Sequence, residues 1–326
     1  MFRIDDATAA TSIPTPEAAG TEGYFTGGNP ATATPATKVR ASWLNMIQEE
    51  LCAILAAAGI TRSKTTYNQV NQALQKLYSP VIGSARNVLM SVTAASATAT
   101  LTADEIVVGA ALGGQKYMLS SFSKTINLAT TGAGGMDTGT APVSGYVALY
   151  AIWNPTTGTG ALLAQNASTL KPNVYGGANM PSGYTASALV AVWPTNASGQ
   201  FIVGYQVDRT FNFPNNTLLG TGTAQSSLTA LGISTVVPAN AKTVSGTIGI
   251  TFTVTAGTFL GCSVAGAANT LGQQQTSVGG AASTVNTAGG NFNNVPLLTP
   301  QTIYYTFQFT GGSGQSLVIQ ANSYTF

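Results

Sequence analysis

From Val39 to Ala58 apolar residues recur at helical spacing: Trp43, Leu44, Met46, Ile47, Leu51, Ile54, Leu55 and Ala58, with Glu49 and Glu50 on the other face. Gly59 follows as a natural C-terminal cap. A second helix is expected over Tyr67–Tyr78, with its stripe on Tyr67, Val70, Leu74, Leu77 and Tyr78. Thr66 and Gln69 read as a capping box at its start, and Pro80 as its stop. Residues 39–80 therefore read as an αα-hairpin attachment domain, which buries little alone and is expected to pack against its copies. Trp43 reads as helix core.

Before the hairpin, residues 1–38 are punctuated by Pro14, Pro16, Pro30 and Pro35 and predict an extended docking arm. Its tip, Phe2 to Asp6, alternates apolar and charged residues in a way suited to clip onto a neighbour. After the hairpin the helical period disappears. Residues 81–114, including the weakly patterned Ser91–Leu101, are expected to be a connecting stalk.

From 115 the chain reads as short strands between turn signals: Gln115–Ser121, Gly145–Trp153, Ala161–Gln165, Ala186–Trp193 and Gln200–Asp208. A boundary is expected near Phe213–Asn216, separating a middle β domain (115–213) from a distal β-sandwich (214–326). The distal strands expected are Thr243–Val254, Thr258–Val264, Thr302–Thr310 and Ser316–Phe326, with Ile303, Tyr305, Phe307 and Phe309 on one face. The stretch Gly266–Asn294, rich in Gly, Gln, Asn, Ser and Thr, reads as a polar loop. The fold class is thus mainly β with an N-terminal α-helical hairpin, followed by sandwich- or barrel-like domains. Trp153 and Trp193 read as strand core.

Composition sharpens this picture. Only 7% of the 326 residues are charged, against roughly 25% in ordinary soluble domains, while 44% are hydrophobic. That is too apolar for a disordered chain. The net charge of +2 comes from scattered residues, so no basic face is offered to nucleic acid. The longest apolar runs, Leu51–Ile60 and Val147–Trp153, fall short of the ~20 residues of a membrane span. The opening lacks a basic stretch followed by an apolar one, so no signal peptide and no ordinary secretion are expected.

There is no histidine, which removes His-based triads, histidine metal sites and the commonest general base. No acid follows Asp208, and the only charge after Arg209 is Lys242. Asp137 with Asp208 is the one pair left for a depolymerase, and nothing around either suggests a shared cleft. No catalytic residue, metal or cofactor is expected. Cys52 and Cys262 read as small buried hydrophobes.

Several segments resemble known proteins. Met-Phe-Arg-Ile-Asp-Asp-Ala-Thr-Ala-Ala-Thr-Ser at the start, Gly23–Thr26 and Val39–Leu51 resemble the N-terminal region of tail-fibre proteins of bacteriophages and prophages. Asn154–Gly158, Val174–Pro181 and Ala191–Asn196 look like a middle domain of the same fibres, and Pro238–Gly246 is similar to the start of their distal domain. The resemblance implies an elongated homotrimeric fibre, made in a host cytoplasm and located in a virion tail. Its N-terminus would be held by tail or baseplate proteins, and its C-terminal domain would contact a host cell-surface receptor: polysaccharide, pilus or outer-membrane protein. Burial between subunits would account for the missing charge. Relatives that cleave polysaccharide carry acidic sites in long β-helical domains, and this chain has neither feature. A purely structural baseplate or collar component is the alternative.

On this reading the receptor-contacting residues are Gln273, Gln274, Gln275, Asn291, Phe292, Asn293 and Asn294: amides for hydrogen bonds and one ring as an apolar platform. The tail-docking residues are Phe2, Arg3, Ile4, Asp5, Asp6, Tyr24 and Phe25.

Overall fold

The computed structural model describes residues 1–78, 81–253, 258–280, 285–311 and 313–326. Pro80, the expected helix stop, lies outside them, as do Val254 and residues 281–284 of the polar stretch. The chain divides into two compact units, Met1–Ser79 and Pro80–Phe326.

In the first unit, α1 spans Ala41–Ala57 and α2 spans Gln69–Tyr78. α1 ends as its glycine predicts. Gly59 is left-handed (φ 63), its N–H donates to Ala56 O at 3.0 Å, and Ile60 N–H reaches back to Leu55 O at 2.8 Å. That closure satisfies carbonyls the helix end would otherwise leave open. The helices meet through buried Leu55, Ala58 and Ala73, with Ile54, Ile60 and Val70 alongside.

The start of α2 is not a capping box. The Gln69 side chain turns away: its Oε1 accepts from the Met1 amino group at 2.6 Å and from Ser63 N–H at 3.0 Å, and its Nε2 donates to Thr61 O at 2.7 Å. Trp43 is not core either. It remains 40% exposed, because the few small residues joining the helices leave no interior large enough for an indole.

The second unit holds β1 (Ala85–Arg86), β2 (Leu89–Val92), β3 (Thr98–Gly109), β4 (Lys116–Asn127), β5 (Tyr146–Asn154), β6 (Thr159–Asn166), β7 (Ala186–Pro194) and β8 (Gly204–Val207). It continues with β9 (Thr210–Thr221), β10 (Gln225–Gly232), β11 (Thr243–Thr253), β12 (Thr258–Ala265), β13 (Gln274–Gly280), β14 (Val285–Pro296), β15 (Thr302–Thr310) and β16 (Ser313–Thr325). One sheet runs β14-β11-β16-β9-β8-β2-β3-β7-β5-β6, with β1 and β4 both on β3; a four-stranded sheet runs β10-β15-β12-β13. The protein is mainly β, and the pairings between the described strands are antiparallel.

Residues 81–114 are not a stalk but contain β1 to β3. The inward positions of β3 include Ala99 and Ala103, which are too small to mark a hydrophobic face in the sequence, yet they are buried beside Leu101 and Ile106. Nor does the chain break at residue 213. Phe213 lies inside β9, which pairs with β8 on one side and β16 on the other. The register of β9 against β16 shifts between Asn212 and Asn216, so Pro214 occupies an irregularity, where a strand tolerates proline.

β16 thereby ties the C-terminal strands to the middle ones. Tyr324 Oη donates to Val192 O at 2.6 Å, and its ring packs 5.2 Å from Phe211. A single buried cluster runs from Ile82 to Phe326. Trp193 is fully buried as expected, whereas Trp153 is only half-buried.

In the C-terminal part the four-stranded sheet covers β14, β11 and β16. Leu260, Cys262, Val264 and Phe307 face Ile248, Ile250, Phe252, Leu317 and Ile319, all buried. The expected aromatic face of β15 forms: Tyr305, Phe307 and Phe309 register with Val264, Cys262 and Leu260. The polar stretch expected as loop supplies β13 and β14. Glycine and asparagine have weak strand preference, and here pairing with β12 and β11 overrides it.

Candidate functional site

In the arm, the polar groups expected to clip onto a neighbour are bound within their own unit, to α1, to the segment joining the helices and to a local turn. The Arg3 guanidinium forms a two-pronged ion pair with the Glu49 carboxylate, including Nε to Oε1 at 2.6 Å. Ile4 N–H donates to Gln48 Oε1 at 2.7 Å, and Lys64 Nζ donates to Asp5 Oδ2 at 2.7 Å. Asp6 closes a local turn by accepting from Thr8 N–H at 2.9 Å and Thr8 Oγ1 at 2.6 Å. These bonds hold Asp5, Asp6 and Glu49 below the usual carboxylate range: the Lys64 bond for Asp5, the Thr8 hydroxyl for Asp6, the Arg3 bond for Glu49.

With the polar atoms of the tip engaged, Phe2 and Ile4 keep exposed apolar side chains. Tyr24 is almost fully exposed, and the Phe25 ring meets Trp43 edge-on at 4.9 Å. Ile13, Pro14, Glu17, Phe25, Trp43 and Met46 line an open cleft of about 920 Å³. Together with exposed Leu44, Ile47, Leu74 and Leu77, these residues make the first unit unusually apolar on its surface.

The expected receptor residues are brought near one another but do different work. Gln273 precedes β13 and is exposed. Gln274 bonds across to β14, its Nε2 donating to Asn293 O at 2.7 Å and its Oε1 accepting from Asn293 N–H at 2.8 Å. Phe292 is fully buried beneath Gly246, so it cannot serve as an apolar platform. Asn294 takes a left-handed backbone (φ 52), and its N–H donates to Ser245 Oγ at 2.8 Å. Only Gln273, Gln275, Asn291, Asn293 and Asn294 remain exposed.

A different surface has the chemistry those residues were expected to supply. On the outward face of the four-stranded sheet, register places Gly279, Phe259 and Thr310 in one row across β13, β12 and β15. The next row is Ser277, Gly261 and Gln308, and the third is Gln275, Ser263 and Thr306. Phe259 is 45% exposed. A Cβ added at Gly261 would lie 2.9 Å from Phe259 Cζ, so the ring lies back over the glycine. Behind it Ser263 and Thr306 form a buried hydroxyl floor, Thr306 Oγ1 donating to Ser263 Oγ at 3.0 Å. Gln308 Nε2 donates to Ser226 O at 2.7 Å. The signal for this surface is in the sequence: in Phe-Leu-Gly-Cys-Ser (259–263) the aromatic falls on the polar phase of the alternation.

Asp137 and Asp208 have separate partners. Asp137 Oδ2 accepts from Tyr175 Oη at 2.9 Å and Gln165 Nε2 at 3.1 Å, and burial with that bond pushes Tyr175 up to about 12. Asp208 Oδ1 accepts from Val88 N–H at 3.1 Å at the β8–β9 turn. Among the described residues there is no cluster of three His, Cys, Asp or Glu side chains able to hold a metal ion. No helix there is long and apolar enough to cross a membrane.

No protein-family model matches the chain. It is 42% identical over 77 residues to the uncharacterized protein StfP of Escherichia coli (strain K12), a match covering 24% of this chain and 35% of that protein. The chain therefore spans about a third of that relative's length. A solved insecticidal delta-endotoxin, Cry8Ea1 from Bacillus thuringiensis, matches 78% of this chain and 55% of its own at 10% identity. Its TM-score of 0.20 is too low to argue a shared fold.

Proposed function

We propose that the chain is a tail-fibre subunit of a virion, a homotrimer held through its N-terminal unit by tail or baseplate proteins and contacting a host surface through its C-terminal strands, without catalysis. The observation that carries the reading is the division into two units of unlike surface chemistry: apolar side chains exposed around α1 and α2, and an uncharged hydroxyl-and-amide face on the four-stranded sheet. The first suits burial against partner subunits and tail proteins, since a free monomer rarely leaves such surface wet. The second suits adhesion without long-range electrostatic steering. The segments that resemble tail fibres support the same reading.

The test is adsorption. Fluorescently labelled chain is mixed with a panel of enterobacterial strains and the unbound fraction is measured. Saturable depletion by some strains and not others supports attachment, and absence of depletion by all of them counts against it.

A further inference from the structure

We propose that the outward face of the four-stranded sheet binds a neutral saccharide, its apolar C–H face stacked on Phe259 and its hydroxyls hydrogen-bonded by Gln308, Ser277 and Gln275. The proposal rests on the attachment reading and names the ligand class for it.

The first argument is the ring. A phenylalanine on an outward strand position has its ring tip over a glycine and nearly half its surface open to solvent. Its neighbours in register are a glycine, hydroxyls and amides, so the ring is not the edge of a buried apolar patch. A flat ring bordered by short donors and acceptors matches the two surfaces of a pyranose, one of C–H groups and one of hydroxyls.

Charge supplies the second argument. No acid follows Asp208, and after Arg209 the only cation is Lys242. Lys242 bonds to Thr325 at the far end of β16, whereas Phe259 registers with Thr310, just before β16 begins. A sulfated or sialylated glycan would meet no counter-charge here, and would lose hydration with nothing to replace it.

The third argument is backbone satisfaction. A peptide adding as a strand would use a sheet edge, β10 or β13, whereas Phe259 and Gln308 lie on β12 and β15, which are paired on both sides. Gln275 supplies a free amide, with no side-chain hydrogen bond among the described residues. The face is flat, so a single site is expected to bind on the order of millimolar, and adhesion would depend on several copies acting together.

The experiment uses the full chain with neutral hexose and N-acetylhexosamine oligosaccharides, and sulfated and sialylated counterparts, read by saturation transfer from protein to sugar C–H groups. Binding of a neutral probe is expected, unchanged by salt and reduced tenfold or more by Phe259→Ala. Gly261→Ala, which displaces the ring without removing it, should also weaken binding, and Phe259→Trp should retain it. The proposal is overturned if no neutral probe binds, if only anionic probes bind, or if Phe259→Ala binds as before while its melting curve is unchanged. A change of solution mass in Phe259→Ala would assign the face to contact between copies instead. The attachment reading fails separately, if the unaltered chain adsorbs to no strain.

Discussion

Gln274 and Asn293 are joined by a pair of hydrogen bonds in which a side-chain amide stands in for a neighbouring strand, Nε2 to O at 2.7 Å and N–H to Oε1 at 2.8 Å. Gln274 belongs to the four-stranded sheet and Asn293 to the long one, so the pair closes one side of the sandwich. Its loss leaves two backbone groups to water. Gln274→Ala should therefore lower stability by about 1–2 kcal/mol, at roughly 1 kcal/mol net per bond. Gln273→Ala and Gln275→Ala should leave it nearly unchanged. Urea denaturation of the three variants checks this, and equal midpoints would refute it.

Gly246 is a second tie point between neighbouring strands. A Cβ there would stand 1.9 Å from Gln320 O and 2.7 Å from Phe292 Cζ. Neither the carbonyl, fixed in the β11–β16 ladder, nor the fully buried ring can move away freely. Gly246→Ala should cost about 1–3 kcal/mol, the usual range for overpacking. Thermal unfolding of this variant beside Gly249→Ala, whose Cβ would meet nothing closer than Val318 O at 3.9 Å, separates the clash from loss of glycine itself.

The arm should loosen in acid. Asp5 and Glu49 have lowered pKa values, through the Lys64 and Arg3 hydrogen bonds respectively. A lowered carboxylate favours the folded state fully above its unfolded value, 3.8 for Asp and 4.5 for Glu, and loses that contribution as pH falls through the folded value below it. Protection of the Ile4 amide against hydrogen exchange should thus be constant from pH 7 to 5 and drop below pH 4. Protection independent of pH would show that these ion pairs do not hold the arm.

Cys262 is buried in the sandwich, and burial pushes its thiol up to about 12. At pH 8 iodoacetamide should modify it only as fast as the sandwich opens, with the rate rising in parallel with urea-induced unfolding. Rapid alkylation of the native chain would contradict the packing at this position.

The parts of the fold legible in the sequence are those where side-chain size marks the period. Gly59 announced the end of α1, and the apolar runs of β5 and β7 announced strands that are buried almost throughout. β3 was hidden because alanines occupy inward positions, and β14 because glycines and asparagines form a strand only once β11 is beside them.

The surroundings of the expected receptor residues were harder to read for a related reason. Composition alone cannot tell an amide that faces solvent from one that replaces a backbone partner, and Gln274 is the second kind. Phe292 and Phe259 are alike as residue types, and only strand phase separates the buried ring from the exposed one. The Phe2–Asp6 tip was expected to clip onto a neighbour, yet its polar groups bond Gln48, Glu49 and Lys64 of its own chain.

Assembly is measured most directly by light scattering on the purified chain. On the proposed fibre reading, other copies cover the exposed Leu44, Ile47, Leu74 and Leu77 and account for the shortage of charge. The expected mass is three times 33.1 kDa, unchanged on dilution into the low micromolar range. A mass of 33.1 kDa would contradict the fibre account, because the apolar surface of α1 and α2 would then stand open to water.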